Sequence, residues 1–369
     1  MDIFLNVQPV VGTALVALLV AGAITFAATP LVIKIAWKLG LVDDPATHFH
    51  PKVLHTKPTP RGGGLAIFLG VLVAALIFLP LDQHLKGILL GAALIVLVGL
   101  ADDKWDLNPY LRLALQFLAA AIPIVAGIGI AFVSNPTGGM LDLSQPRISF
   151  ELGGEVRSIW ILSDLFALFW IVAIMNFLNM GAKGVDGQLT GVVAISALTV
   201  AILSLKFSAD ITQWSVIILA AITAGAYFGF LPWHVFPQKI MPSFAGSNLA
   251  GYLLAVLAIL STTKVGTLTV VLAVPLIDTG YTIVRRILSG KSPVWGDGGH
   301  LHHRLLDIGW SKSQVAIFYW SVTAILGILA INLNTASKLY TIFGVAVLLG
   351  GMILFLTHKR KTLKTTEDK

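Results

Sequence analysis

The residues able to do chemistry gather at a few points along the chain. Asp102 and Asp103 stand side by side where an apolar stretch ends, and Asn176, Asn179, Lys183 and Asp186 follow another. Asp278 lies inside a third, within Pro275-Leu276-Ile277-Asp278, and the loop behind it holds Asp297, His300, His302, His303 and Arg304. Taken singly, an aspartate pair can be a solvated helix end, and histidines are usually solvated loop residues. An ionisable side chain inside an apolar run is costly, however, and is a functional hypothesis by default. Asp278 needs a cation or a proton partner, and Arg285 and Arg286 lie two turns further on. Carboxylate and amide oxygens are hard ligands that select magnesium, or manganese, over zinc. Phosphoryl transfer asks a protein mainly for positioning and charge neutralisation. Together the groups point to a divalent cation and phosphate chemistry, with one carboxylate taking a proton from an attacking phosphate. His302 and His303 are too close in sequence to face one metal from a helix, so hydrogen bonding to substrate is favoured for them.

The elements that must position these residues are membrane helices. Of 369 residues, 56% are hydrophobic and 12% charged, with mean hydropathy +0.87. A soluble globular chain carries about 25% charged residues. A helix needs about 20 mostly apolar residues to cross the hydrocarbon. Eleven segments qualify: 11–35, 63–80, 87–101, 111–133, 159–178, 188–206, 213–234, 247–262, 265–288, 313–332 and 338–357, the third and eighth being short. The first is too long for a signal-peptide core and lacks a basic start. The expectation is one all-α polytopic membrane domain over 1–357 and a polar, unstructured cytoplasmic tail over 358–369.

Eleven spans put the two ends on opposite sides. With the N-terminal end outside, 19 of the 25 Lys and Arg residues fall on inner segments, as the positive-inside rule requires. The net charge of +7 then reflects topology and attraction to anionic headgroups, and a nucleic-acid partner is not expected. All the chemically interesting residues lie at inner ends. Alternation on both sides of Gly153-Gly154 suggests a small outer β-hairpin. There are no cysteines, which excludes disulfides, thiolate metal sites and a cysteine nucleophile.

Read in order, these motifs resemble the polyprenyl-phosphate N-acetylhexosamine-1-phosphate transferase superfamily, over roughly 41–317. The resemblance rests on Pro58-Thr-Pro-Arg61-Gly-Gly-Gly-Leu65 behind Lys57, and on Gly99-Leu-Ala-Asp102-Asp103-Lys-Trp-Asp-Leu107 with Arg112 following. It continues through Asn176-Phe-Leu-Asn179, Pro275-Leu-Ile-Asp278, Arg285-Arg286 and Asp297-Gly-Gly-His300-Leu-His302-His303-Arg304. It implies an enzyme that passes a HexNAc-1-phosphate from a UDP-HexNAc to undecaprenyl phosphate at the cytoplasmic face of the inner membrane. By position, Asp278 and Asn179 match the residues that hold magnesium. Asp102 and Asp103 match the essential pair, and Arg112 a basic residue at the phosphate site. His300, His302, His303 and Arg304 match the loop that recognises the donor; Lys57, Lys183 and Asp186 complete the expected substrate contacts. The His-x-His-His form resembles the GlcNAc-1-phosphate branch more than the phospho-MurNAc-pentapeptide branch.

Two positions depart from the superfamily pattern. Where most bacterial members carry an Asn-x-x-Asp-Gly-x-Asp-Gly stretch, this chain reads Asn179-Met-Gly-Ala-Lys183-Gly-Val-Asp186-Gly187, one residue longer and short of one carboxylate. Where an aspartate is expected before the eighth span, it has Phe244, within Ser243-Phe-Ala-Gly-Ser247. A catalytically inactive lipid-binding homologue is therefore a rival reading. A transporter is disfavoured, because its polar site would lie near the midplane between repeats, and here the charges crowd one face.

Overall fold

The computed structural model describes residues 2–46, 55–135, 138–152, 155–261, 264–292 and 299–367. Asp297 and the Gly153-Gly154 turn lie outside them. The chain runs through α1 (Asp2–Leu39), β1 (Val42–Asp43), β2 (Thr59–Pro60), α2 (Gly63–Phe78), α3 (Gln83–Trp105) and α4 (Pro109–Val125). Four strands follow: β3 (Phe132–Ser134), β4 (Met140–Asp142), β5 (Arg147–Leu152) and β6 (Glu155–Trp160). The remainder is helical: α5 (Ile161–Gly181), α6 (Gln188–Leu205), α7 (Thr212–His234), α8 (Ser243–Leu260), α9 (Lys264–Val271), α10 (Ala273–Leu288), α11 (Leu301–Asp307), α12 (Lys312–Asn332) and α13 (Thr335–Glu367). Each strand pair, β1–β2, β3–β4 and β5–β6, is an isolated antiparallel ladder.

Helix starts follow local chemistry. Asp82 accepts from Leu85 N at 2.8 Å to open α3, and Asn108 accepts from Tyr110 N at 2.9 Å with Pro109 beside it to open α4. Ser311 and Gln314 form a reciprocal capping box at α12, satisfying two donors that a helix otherwise leaves open.

Among the described residues eight helices are long and apolar enough to cross a membrane, or nine if a bent pair forms one span. With the two shorter apolar helices α2 and α4, these cover all eleven expected segments. Helices α2 and α4 have 16 and 17 residues, and at about 1.5 Å per residue they are shorter than a hydrocarbon layer of about 30 Å, a mismatch that local thinning of the bilayer or burial of their ends accommodates. The expected ninth span is not one helix: α9 and α10 meet at 83°. Pro275 has no N–H for the carbonyl four residues earlier, and such a break is tolerated where protein rather than lipid surrounds the freed groups. Val270, Val271, Leu272, Ala273 and Val274 are all buried. The segment beyond His358, expected to lack structure, continues α13 to Glu367.

Helix α8 is the axle of the bundle. Within its apolar window 94% of residues are buried, against 17% for α13, so α8 is apolar on all sides as a core helix must be. Its first turn is also where the site is assembled. A Cβ on Gly64 or on Gly99 would overlap the Ala245 backbone, so only glycine lets α2 and α3 approach there. Backbone bonds from Gly63 N to Met241 O (2.9 Å) and from Met241 N to Pro60 O (2.8 Å) tie the Pro58–Leu65 motif to the same turn.

Candidate active site

The end of α3 carries the aspartate pair, and the two carboxylates are in different states. Asp102 is claimed on every side: Arg112 Nη1 donates to both of its oxygens at 3.0 and 3.1 Å, and Leu107 N donates to Oδ1 at 3.1 Å. The left-handed Asp106 (φ 46°) ends α3 and turns the chain back so that Leu107 and α4 can make these bonds. Asp103 is equally buried but its Oδ2 has no hydrogen-bond partner. Around it stand Arg61, whose Nη1 donates to the Asp103 carbonyl at 3.4 Å, and Lys183, which interacts with it electrostatically. Arg61 is itself held by Asp43 at 3.5 Å across the β1–β2 ladder.

Lys183 Nζ donates to Asn179 Oδ1 at 3.2 Å, and Ser247 Oγ donates to the same oxygen at 2.7 Å. Lys183 as a whole residue keeps an exposed surface. Loss of hydration at the ammonium holds it below the usual lysine range, at about 8, with Asp103 opposing the shift and Arg61 adding to it. Phe244 offers a surface to a cation: the Arg112 guanidinium lies 5.0 Å from its ring centre, a cation–π contact. Below the cluster a largely buried amide chain links three helices, α4, α5 and α8. Asn176 Nδ2 donates to Gln116 Oε1 at 2.9 Å, Gln116 Nε2 donates to Asn248 Oδ1, and Asn248 Nδ2 donates to Phe244 O at 2.9 Å.

A second group lies behind the first. Asp278 is fully buried, and its partner is His300 rather than Arg285 or Arg286. His300 Nδ1 lies 2.8 Å from Oδ2, and Leu301 N donates to Oδ1 at 2.8 Å. His302 stacks on His300 with ring centres 5.6 Å apart and tilts against His303 at 4.3 Å. Burial, with His303 and His300 adding to it, pushes the His302 imidazole well below its ordinary range, so it is neutral at pH 7. Its Nδ1 has no partner. The two groups are joined by close approach: a Cβ on Gly184 would overlap the His302 ring, and one on Gly181 would overlap Pro275 O. Thr279 Oγ1 donates to Phe177 O at 3.2 Å across the same α5–α10 contact.

The remaining expected residues lie apart. Asp186 receives Lys312 Nζ at 3.3 Å and Gln238 N at 3.2 Å, so both of its oxygens fasten the loop to α12 and to the α7–α8 connection. Arg304 bonds Gly299 O at 3.1 Å and Thr357 Oγ1, and lies over Tyr281, tying α11 to α13. Lys57 is exposed. Three participants were missed as site residues: Arg61, Gln116 and Ser247. Arg61 could have been found from its place in the Pro-Arg-Gly-Gly-Gly motif; Gln116 carries no local signal at all.

This cluster of carboxylates, cations and amides lies in a stretch of chain that is similar to known proteins. The glycosyl transferase family 4 model matches residues 85–262, which include Asp102, Asp103, Arg112, Asn179 and Lys183. A Bacillus subtilis protein named a probable undecaprenyl-phosphate N-acetylglucosaminyl 1-phosphate transferase is 32% identical over 329 residues, 87% of this chain and 85% of its own length. This chain belongs to glycosyl transferase family 4. A Mycolicibacterium smegmatis decaprenyl-phosphate N-acetylglucosaminephosphotransferase is 29% identical, covering 93% of this chain and 88% of the relative. A phospho-N-acetylmuramoyl-pentapeptide-transferase of the same organism is 28% identical over 84% of this chain and 94% of the relative. As a family 4 member with eight or nine long apolar helices among its described residues, the protein is a multi-pass membrane protein.

Among the described residues no three carboxylate or imidazole side chains gather as a ready-made metal cage. The donors present still suit magnesium, which commonly takes one or two protein oxygens and completes its shell with water and substrate phosphates.

Proposed function

We propose that this protein transfers GlcNAc-1-phosphate from UDP-GlcNAc to undecaprenyl phosphate, releasing UMP and starting a cell-envelope polysaccharide. The observation that carries the reading is the buried, unpartnered Asp103 oxygen, set among Arg61, Arg112 and Lys183. Asp103 accepts the proton of the lipid phosphate. An oxygen of that phosphate bonds to the phosphorus bearing the sugar, and the bond from that phosphorus to the UMP oxygen breaks. The three cations offset charge on the diphosphate, while Asp102, already neutralised, holds Arg112 in place. Asp278 and Asn179 would hold a magnesium or manganese ion, which supplies further charge neutralisation on the diphosphate. His302, neutral and with a free ring nitrogen, can accept a hydrogen bond from the donor.

We place the protein in the cytoplasmic (inner) membrane with its N-terminal end outside, its C-terminal end inside and the site on the cytoplasmic side, because 19 of its 25 basic residues then lie inside. The deciding experiment is UMP release by purified protein with undecaprenyl phosphate, magnesium and either UDP-GlcNAc or UDP-MurNAc-pentapeptide. Turnover with UDP-GlcNAc, lost on chelation, is expected. Turnover only with the pentapeptide donor would move the protein to the other branch, and none with any UDP-sugar would make it an inactive homologue.

A further inference from the structure

Lys183 sits where a mobile cation would be expected. Its ammonium donates to Asn179 Oδ1 at 3.2 Å, and it interacts electrostatically with Asp103 and Asp102. Arg112 already neutralises Asp102 at 3.0 Å, and Arg61 is placed at the Asp103 backbone. Three carboxylates, Asp43, Asp102 and Asp103, therefore already face three positive charges, Arg61, Arg112 and Lys183, before any ion or substrate arrives.

We propose that Lys183 is a resident cation that occupies the Asn179 oxygen and repels a free divalent ion, so that the ion enters together with the nucleoside diphosphate. This rests on the reading that Asn179 holds the ion. A cation next to a metal ligand acts in two ways: it competes for the oxygen lone pair, and it raises the energy of a second positive charge nearby. A bound diphosphate reverses the second effect, because its charge attracts both the ammonium and the ion, and the ammonium can turn from Asn179 to a phosphate oxygen. A lysine suits such a role, being a flexible point charge without a fixed fork. The expectation is strong positive coupling between ion and diphosphate, which by linkage must be reciprocal.

The test is Mn²⁺ binding to the full-length protein in detergent, read by the loss of the free-ion paramagnetic signal, with and without UDP. The parent should bind Mn²⁺ weakly alone and much more tightly with UDP. Lys183→Met, close in length but uncharged, should bind free Mn²⁺ about ten-fold more tightly or better. One neighbouring charge commonly moves the affinity for a proton by about one to three decades. The coupling to UDP should shrink by the same factor, and Lys183→Arg should behave like the parent. Thermal unfolding of each variant confirms that it is folded. Equal affinity of the parent and Lys183→Met for free Mn²⁺ would overturn the proposal. So would Lys183→Arg binding as tightly as Lys183→Met. Should UDP leave Mn²⁺ affinity unchanged in every variant, the donor reading and the coupled entry both fall, while the nucleotide-free comparison still decides whether Lys183 repels the ion.

Discussion

His300 Nδ1 stands 2.8 Å from Asp278 Oδ2, joining the histidine loop to the helix that follows the 83° break. Because Leu301 N takes the other oxygen, this one carboxylate sets the position of the whole α11 turn. Asp278→Asn can keep an oxygen for Leu301 N but removes the charge and turns an NH₂ group towards His300, whose Nδ1 must then be the acceptor. We expect UMP release at background level. Hydrogen bonds to a charged group are worth about 1.5–3 kcal/mol each, so thermal unfolding should shift down even without magnesium, and magnesium-dependent stabilisation should disappear. Normal turnover at ordinary magnesium would exclude Asp278 from the site.

The two adjacent aspartates should separate kinetically. Asp103→Asn removes the free oxygen while leaving the Arg112–Asp102 pair intact, so kcat should fall by about 10²–10⁴, the usual worth of a positioned general base. KM for the donor should stay near the parent value. Asp102→Asn frees Arg112 from its ion pair at 3.0 Å, and its main effect should be a raised KM. The reverse pattern, measured as initial rates of UMP release, would exchange the two roles.

The Gly184–His302 contact is tested by size alone. Gly184→Ala puts a methyl group into the imidazole ring, and overpacking of this kind costs about 1–3 kcal/mol. Activity and thermal stability should both drop. Gly280 provides the control, since a Cβ there meets nothing within 4 Å. Gly280→Ala should be neutral or slightly stabilising, by up to about 1 kcal/mol.

Which of these relations could be read from the chain alone depended on their range. Asp102 and Arg112 are ten residues apart in one motif, so the resemblance named both as expected site residues, but their ion pair is seen only in the structure. The ion pair of Asp186 with Lys312 spans 126 residues and the bond from Arg304 to Thr357 spans 53; no local pattern announces either. Asp186 and Arg304 are expected substrate contacts, and both also fasten loops in the structure. Asp278 showed the same limit. Its need for a partner was legible in an apolar helix, but the nearest arginines in sequence are not what meets it. Hydropathy gave apolar segments but not their continuity, because Pro275 breaks the ninth through backbone chemistry that leaves its apolar character intact.

Orientation is open to direct measurement because the chain has no cysteines, so any introduced thiol is unique. Lys86 and Lys291 are both exposed. In intact cells an impermeant maleimide should label Lys86→Cys, and should reach Lys291→Cys only after permeabilisation. The opposite result would invert the topology and put the site on the outer face.

Lys183 carries the last prediction, on substrate affinity. Its ammonium lies beside Asn179 and within electrostatic reach of Asp103, Asp102, Arg61 and Arg112, so it can reach a diphosphate bound among them. A contact with a charged group of this kind contributes about 1.5–3 kcal/mol, or roughly ten- to a hundred-fold in affinity. Lys183→Ala should therefore raise KM for the UDP-sugar by that factor and leave KM for the lipid unchanged. Lys183→Asp should be worse than alanine, because it sets a third carboxylate beside Asp102 and Asp103 with one cation fewer to offset it. The sign also fixes the pH response. The ammonium is held below the usual lysine range, so its contribution to donor binding is complete near neutrality and fades as pH rises through that lowered value. The parent's donor KM should climb at alkaline pH while that of Lys183→Ala stays flatter. Identical KM values and identical pH profiles for parent and alanine variant would show that Lys183 is only a solvated loop charge.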